Sequence, residues 1–355
     1  MATPIKKDHP VAFFLFVMLV FFEYVRPQSS LTFLSALSIP GLLTLFFILF
    51  GFIKTKTSVL FSYSMIRLQV FFCVFAMLSY FKVVNDYYWF NATKDLILYL
   101  LIYTLSGLVL FDRFGRLFVF LRLFVFFLFL TFLYILSHSG KGPGSFVTDE
   151  NDSALVMCVM ASFSFYMAKA QGITRFQKYF FCFATLCGAI GVIITASRGG
   201  FLGLLAVAIG FWWYTRARLK MALRFGLICV VLFPVVFSIL PDNYIEEVKS
   251  ISDTEDRTRN ERFRSWKYGI YAFLDNPILG VGVGNYPWRN SEYRDDGYND
   301  DDANRRDLGG RQAHSIWFTL IPELGLFGTV TFLLMLVHVF GKSETPNDLT
   351  DKRYR

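Results

Sequence analysis

The chain has 355 residues, of which 55% are apolar and only 17% charged, with 43 Phe and a formal charge of +8. Soluble chains carry about 25% charged residues, whereas runs of Phe, Leu, Val and Ile here approach the roughly 20 residues that cross about 30 Å of hydrocarbon. A soluble globular protein is excluded, and the lack of apolar–polar alternation within the runs excludes a transmembrane β-barrel.

The class is therefore an all-α polytopic membrane protein. Ten hydrophobic segments follow one another near residues 11–25, 31–53, 64–84, 96–111, 117–136, 153–168, 179–197, 200–215, 221–240 and 316–340. The first ends in FFEYVRPQ rather than a small-residue cleavage site, so no signal peptide is expected to be removed. All five cysteines (Cys73, Cys158, Cys182, Cys187 and Cys229) lie inside apolar runs, which argues against a disulfide framework and a thiolate metal site.

With the N-terminus placed in the cytoplasm, alternate loops and termini collect 19 basic residues, from Lys6 and Lys7 to Arg353 and Arg355. The opposite short loops hold only Arg26, Lys82, Lys94, Lys141 and Arg198. Lys and Arg concentrate on the cytoplasmic side of membrane proteins, so both termini are expected inside. The chain then reads as a helical body over 1–240, a long outer loop over 241–315, a last span over 316–340 and a cytoplasmic tail over 341–355.

The long loop contains 11 basic and 15 acidic residues, so it is no basic patch and no nucleic-acid partner is expected. Its aromatic residues (Trp266, Tyr268, Tyr271, Phe273, Tyr286, Trp288) point to a small helical cap rather than a linker. The acidic stretch Asp295–Asp307 lacks the Gly and terminal Glu positions of a calcium loop and reads as a solvated turn. A second outer loop, SHSGKGPGSFVTDEND over Ser137–Asp152, has glycines that allow tight bends and carboxylates able to orient a hydroxyl; a flexible connection between spans is the plainer alternative.

Three features carry chemistry. Arg198, in IITASRGGFLGLL, stands between two apolar runs, where a guanidinium is costly unless it meets a polar cavity or an anion. Its planar fork suits a phosphate, and an interfacial anchor is the alternative. His314, in RQAHSIW, lies at the same outer boundary and can accept a proton near neutral pH, as a general base for a hydroxyl nucleophile or as a structural residue. His138 shares the outer face, while His9 and His338 lie on or near the inner side.

Arg257, Arg259, Arg262, Arg264 and Lys267 form a basic run whose helical spacing aims one face at an anion. GVGVGN follows no strand and lacks the Lys-Ser/Thr ending of a phosphate loop, so it reads as a turn after a helix that ends at Asn276-Pro277.

SRGGFLGL, DNPILGVGVGNYPW and AHSIWFTLIPELGLFGTVTFLL occur in the order and spacing of the O-antigen ligase family, the Wzy-C superfamily, which the last half of the chain resembles. FFEYVRPQ and GKGPGSFVTDENDSALVM look like the subgroup of O-glycosylation ligases associated with exosortase systems. The resemblance implies a GT-C-like glycosyltransferase at the outer face of a bacterial inner membrane. Such an enzyme moves a glycan from undecaprenyl diphosphate to a hydroxyl of a glycolipid (lipid A core), a polysaccharide or a protein. Matched motif to motif, Arg198 with Arg264, or Arg262 in second place, binds the diphosphate, and His314 activates the acceptor. Neither a metal nor another cofactor is expected, because diphosphate already leaves well and guanidiniums stabilise its charge.

The family usually continues for about two spans beyond the segment at 316–340, so a shortened member acting as a partner protein is a second expectation. A transporter or flippase for a lipid-linked glycan is a third. It is disfavoured by central spans with almost no charge and by the lack of an inverted repeat.

Overall fold

A computed structural model of the chain describes residues 10–35, 37–53, 61, 63–110, 114–144, 146–214, 257–293, 310 and 312–341. The ninth hydrophobic segment (221–240), loop residues 241–256 and 294–309 with the acidic turn, and the tail from 342 lie outside these residues.

Among the described residues the longer helices are α1 (Pro10–Tyr24), α2 (Ile39–Ile53), α3 (Ser64–Leu78), α4 (Asp86–Leu110), α5 (Phe114–Ser137), α6 (Glu150–Met167), α7 (Arg175–Ile194), α8 (Arg198–Tyr214), α9 (Arg257–Asp275) and α10 (Ile316–Gly341). Nine of the ten hydrophobic segments thus coincide with helix. The fourth starts earlier than expected, at Asp86, because Asn85 caps it: its Oδ1 accepts from the Tyr88 amide at 3.4 Å. At α7, Thr174 and Gln177 form a reciprocal capping box.

Four helical stretches among the described residues are long and apolar enough to cross a membrane: Ser64–Lys82, Gly115–Ser137, Arg175–Ile194 and Ile316–Gly341. Three shorter apolar helices, Pro10–Tyr24, Ile39–Phe50 and Arg198–Trp213, accompany them. Large apolar side chains stand outward, among them Phe183, Leu202 and Val337 at 53%, 69% and 65% exposure. A water-facing surface does not tolerate so much exposed hydrocarbon, whereas lipid does.

The chain divides into two units, one drawn from residues 55–104 and 253–355, the other from 4–54 and 105–252. In the second, α1 packs on α2 and α5, and α6 packs on α5, α7 and α8. Much of this packing is aromatic, as in Phe16 against Phe47 and Phe120 at 5.4 and 5.1 Å. One polar contact joins α7 to α6, Thr185 Oγ1 donating to Ser164 Oγ at 3.1 Å.

In the first unit, α10 packs against both α3 and α9. Phe72, Ala76, Val283, Leu324 and Met335 form its buried core. α10 is not one straight span, because Pro322 lies inside it and Gly325 has φ 60°, ψ −159°. The backbone groups freed at this break are taken up by the segment after α9. Val281 N donates to Pro322 O at 2.8 Å, Gly282 N to Glu323 O at 3.1 Å, and Leu326 N to Pro277 O at 2.7 Å. A broken helix is stable at membrane depth only where neighbouring protein replaces its lost bonds.

Candidate functional site

Arg198 is the first residue of α8, and the turn before it is built by the sequence TASRGG. Thr195 closes α7, Ala196 takes the left-handed conformation (φ 53°), and Ser197 caps α8. The Ser197 hydroxyl accepts from Gly200 N at 3.0 Å and donates to Asn151 Oδ1 of α6 at 2.7 Å. Arg198 itself is exposed. Its guanidinium belongs to the residue at the positive end of a helix dipole, so both the side chain and the helix terminus favour an anion.

The outer loop of the same unit explains its own acidic residues locally. Asp149 Oδ1 accepts from Asp152 N at 2.8 Å, and Asp152 Oδ2 accepts from Thr148 Oγ1 at 2.7 Å, so TDEND is an N-terminal cap for α6. Glu150 pairs with Lys141 at 3.6 Å. The carboxylates expected to orient a hydroxyl are thus engaged in local contacts. Arg26, left-handed at φ 50°, lays its guanidinium against Gly144, where a Cβ would sit 2.6 Å from Nη1. FFEYVRPQ and GKGPGSFVTDEND therefore pack on one another. His138 stacks on Tyr134 at 3.8 Å and bonds its carbonyl at 2.9 Å.

In the other unit, α9 carries Arg262, exposed, and Arg264, half-buried. The helix ends at Asp275, directly before Asn276-Pro277. The glycine-rich segment beyond it is more than a turn. Gly280, Gly282 and Gly284 all have positive φ. At Gly280 a Cβ would lie 2.4 Å from the Glu323 backbone, and at Gly325 one would lie 2.6 Å from Gly280 N, so the two segments touch main chain to main chain.

The loop also grips side chains. Glu323, buried at 7% exposure, accepts from Gly284 N at 2.9 Å and from the Tyr286 backbone. Asn285, fully buried, accepts from Val84 N and Asn85 N at 3.2 and 2.8 Å and donates to Asn85 O at 3.2 Å. Val283 N donates to Ser79 Oγ at 3.2 Å. Tyr286 lies beneath α9, its hydroxyl donating to Ser265 O, and burial pushes its phenol up to about 12.

His314 stands just before α10, exposed and left-handed at φ 49°. The residue before it is anchored: Ala313 is fully buried among Ala272, Val281 and Tyr286, and its carbonyl accepts from Trp266 Nε1 at 2.9 Å. The Trp266 ring stacks on Phe318 of α10 at 4.8 Å and 4°.

The structure thus places His314, Arg262 and Arg264 in one unit, with α9 joined to the His314 turn through Trp266, and Arg198 in the other. Sequence reasoning passed over Glu323, Asn285 and Trp266. For Glu323 a signal was present, since a lone carboxylate in the apolar run LIPELGLFG demands a polar partner. Asn285 and Trp266 had none, because their partners lie 200 and 47 residues away.

Residues 183–333 match the model of the O-antigen ligase family, Wzy_C. No curated protein and no solved structure matches the chain. The matched stretch takes in the TASRGG turn, α9, the glycine loop and the broken part of α10, and with them Arg198, Arg262, Arg264 and His314. Over this stretch the chain is similar to the O-antigen ligase family.

Proposed function

We propose that the chain is a membrane ligase that transfers a glycan from undecaprenyl diphosphate to an acceptor hydroxyl at the outer face of a bacterial inner membrane. The acceptor is a glycolipid, a polysaccharide or a protein. The observation that carries this reading is that the stretch matching the O-antigen ligase family contains every residue to which a role falls.

In this reading His314 takes the proton of the acceptor hydroxyl as its oxygen attacks the anomeric carbon of the donor. The bond from that carbon to the diphosphate oxygen breaks, and undecaprenyl diphosphate leaves with the electron pair. Arg198 and Arg264, with Arg262 as the alternative loop arginine, hold the diphosphate and stabilise the charge it gains. Two guanidiniums supply the charge that a divalent cation supplies in other glycosyl transfers. The proposed topology is ten spans with both termini in the cytoplasm, which puts these residues on the outer side.

Deletion of the gene in its source organism, with analysis of surface glycoconjugates, tests the reading. The expected result is one glycoconjugate that loses its glycan while undecaprenyl-diphosphate-linked glycan accumulates outside the inner membrane. Accumulation on the cytoplasmic side would instead identify a translocator and overturn the assignment.

A further inference from the structure

We propose that Trp266 is a positioning residue for His314, fixing the imidazole relative to the arginines of α9. The inference rests on the reading of His314 as the general base.

The peptide unit joining Ala313 to His314 is planar, so a hydrogen bond to its carbonyl oxygen, together with the buried Ala313, restricts the orientation of the whole plane. His314 φ is the rotation of its Cα against that plane. The Trp266 bond to Ala313 O, with the Ala313 methyl buried, therefore limits the rotation that would carry His314 out of its left-handed conformation. That conformation is uncommon for a residue with a side chain and persists only where surroundings hold it. On the other side, Thr319 N bonds Ser315 O at 3.0 Å, the start of the α10 ladder. His314 is thus held between an indole donor before it and a helix start after it.

The donor sits two residues beyond Arg264 on the same helix. One hydrogen bond consequently links the turn of the proposed base to the helix carrying the proposed loop arginine, Arg264 or Arg262. The indole also stacks on Phe318 of α10, a contact separate from its hydrogen bond to Ala313 O. Misplacing a catalytic group by about 1 Å costs up to roughly 100-fold in rate. A residue that touches neither reactant can therefore govern turnover.

The test replaces Trp266 with β-(3-benzothienyl)alanine, which keeps the ring's size and stacking and removes only the N–H. Trp266→Phe serves as a second variant and Phe318→Leu as a packing control that leaves the donor in place. Transfer is measured on full-length protein in detergent, with synthetic undecaprenyl-diphosphate oligosaccharide as donor and envelope extract of the deletion strain as acceptor.

Loss of the N–H is expected to lower kcat by roughly 10-fold or more with the donor KM unchanged within about twofold, while Phe318→Leu loses much less. Full turnover by the benzothienyl variant alongside an inactive His314→Ala overturns the positioning role alone. An equal loss in Phe318→Leu assigns the effect to packing and also overturns it. Full transfer by His314→Ala removes the base and, with it, anything Trp266 positions.

Discussion

The amide of Gly284 donates to the Glu323 carboxylate at 2.9 Å, joining a glycine loop to a break in the last helix. Glu323 is buried and Gly284 half-buried, and the loop replaces backbone bonds that Pro322 and Gly325 deny to α10. Glu323→Ala leaves the Gly284 and Tyr286 amides without this acceptor. Loss of roughly 1–3 kcal/mol in unfolding free energy is expected, with less than half that for Glu323→Gln, which keeps an acceptor. Thermal melts in detergent check this; equal losses in the two variants would show that shape rather than acceptance matters.

Gly280→Ala meets the same junction from the backbone side. Its φ of 71° and a Cβ position 2.4 Å from Glu323 main chain leave no room for a methyl group. We expect a cost of about 2 kcal/mol or more, seen as low yield of monodisperse protein. Gly172 is the control: its φ is 71° too, but nothing lies within 4 Å of the added atom.

Tyr286 makes a pH prediction with a definite sign. Burial holds its phenol protonated up to about 12, against 10.0 for a free phenol. The folded state therefore keeps a proton that the unfolded chain releases, and the resulting stability is present below pH 10 and lost as pH rises toward 12. Wild-type melting temperature should fall more steeply between those values than that of Tyr286→Phe. The variant itself should lose about 1 kcal/mol at neutral pH through the missing bond to Ser265. Parallel slopes would contradict the assignment.

Ser197 holds the start of α8 and with it Arg198. Ser197→Ala removes the acceptor for Gly200 N and the donor to Asn151, and a cost of about 1 kcal/mol is expected. Because the proposed ligand of the diphosphate comes directly after it, donor KM should rise while kcat changes little. A fall in kcat with KM unchanged would detach this turn from donor binding.

The range of each interaction decides how much of the fold and site was legible in the sequence. Hydropathy marks the helices because each apolar run reports its own environment, and nine of ten segments coincide with helix. The α4 start at Asp86 escaped because its aromatic, polar first turns, DYYWFNATKD, are not an apolar run. TDEND looked chemical because a helix cap and a reactive carboxylate use the same residues; only the bonds from Asp152 N and Thr148 separate them. GVGVGN looked like a plain turn because its purpose is set by a helix break about forty residues downstream. Arg198 and His314 drew attention because an arginine and a histidine beside apolar runs stand out by themselves. Trp266 did not, since an aromatic residue on a helix is ordinary until its indole is seen on Ala313 O.

The central claim is that covalent glycan transfer depends on His314. The most direct measurement supplies purified wild-type and His314→Ala protein with synthetic undecaprenyl-diphosphate oligosaccharide and acceptor extract, and quantifies glycan joined to acceptor. Wild-type protein should form the linkage and release undecaprenyl diphosphate, while His314→Ala, with an unchanged melting temperature, should form none. Undiminished transfer by His314→Ala would contradict the account.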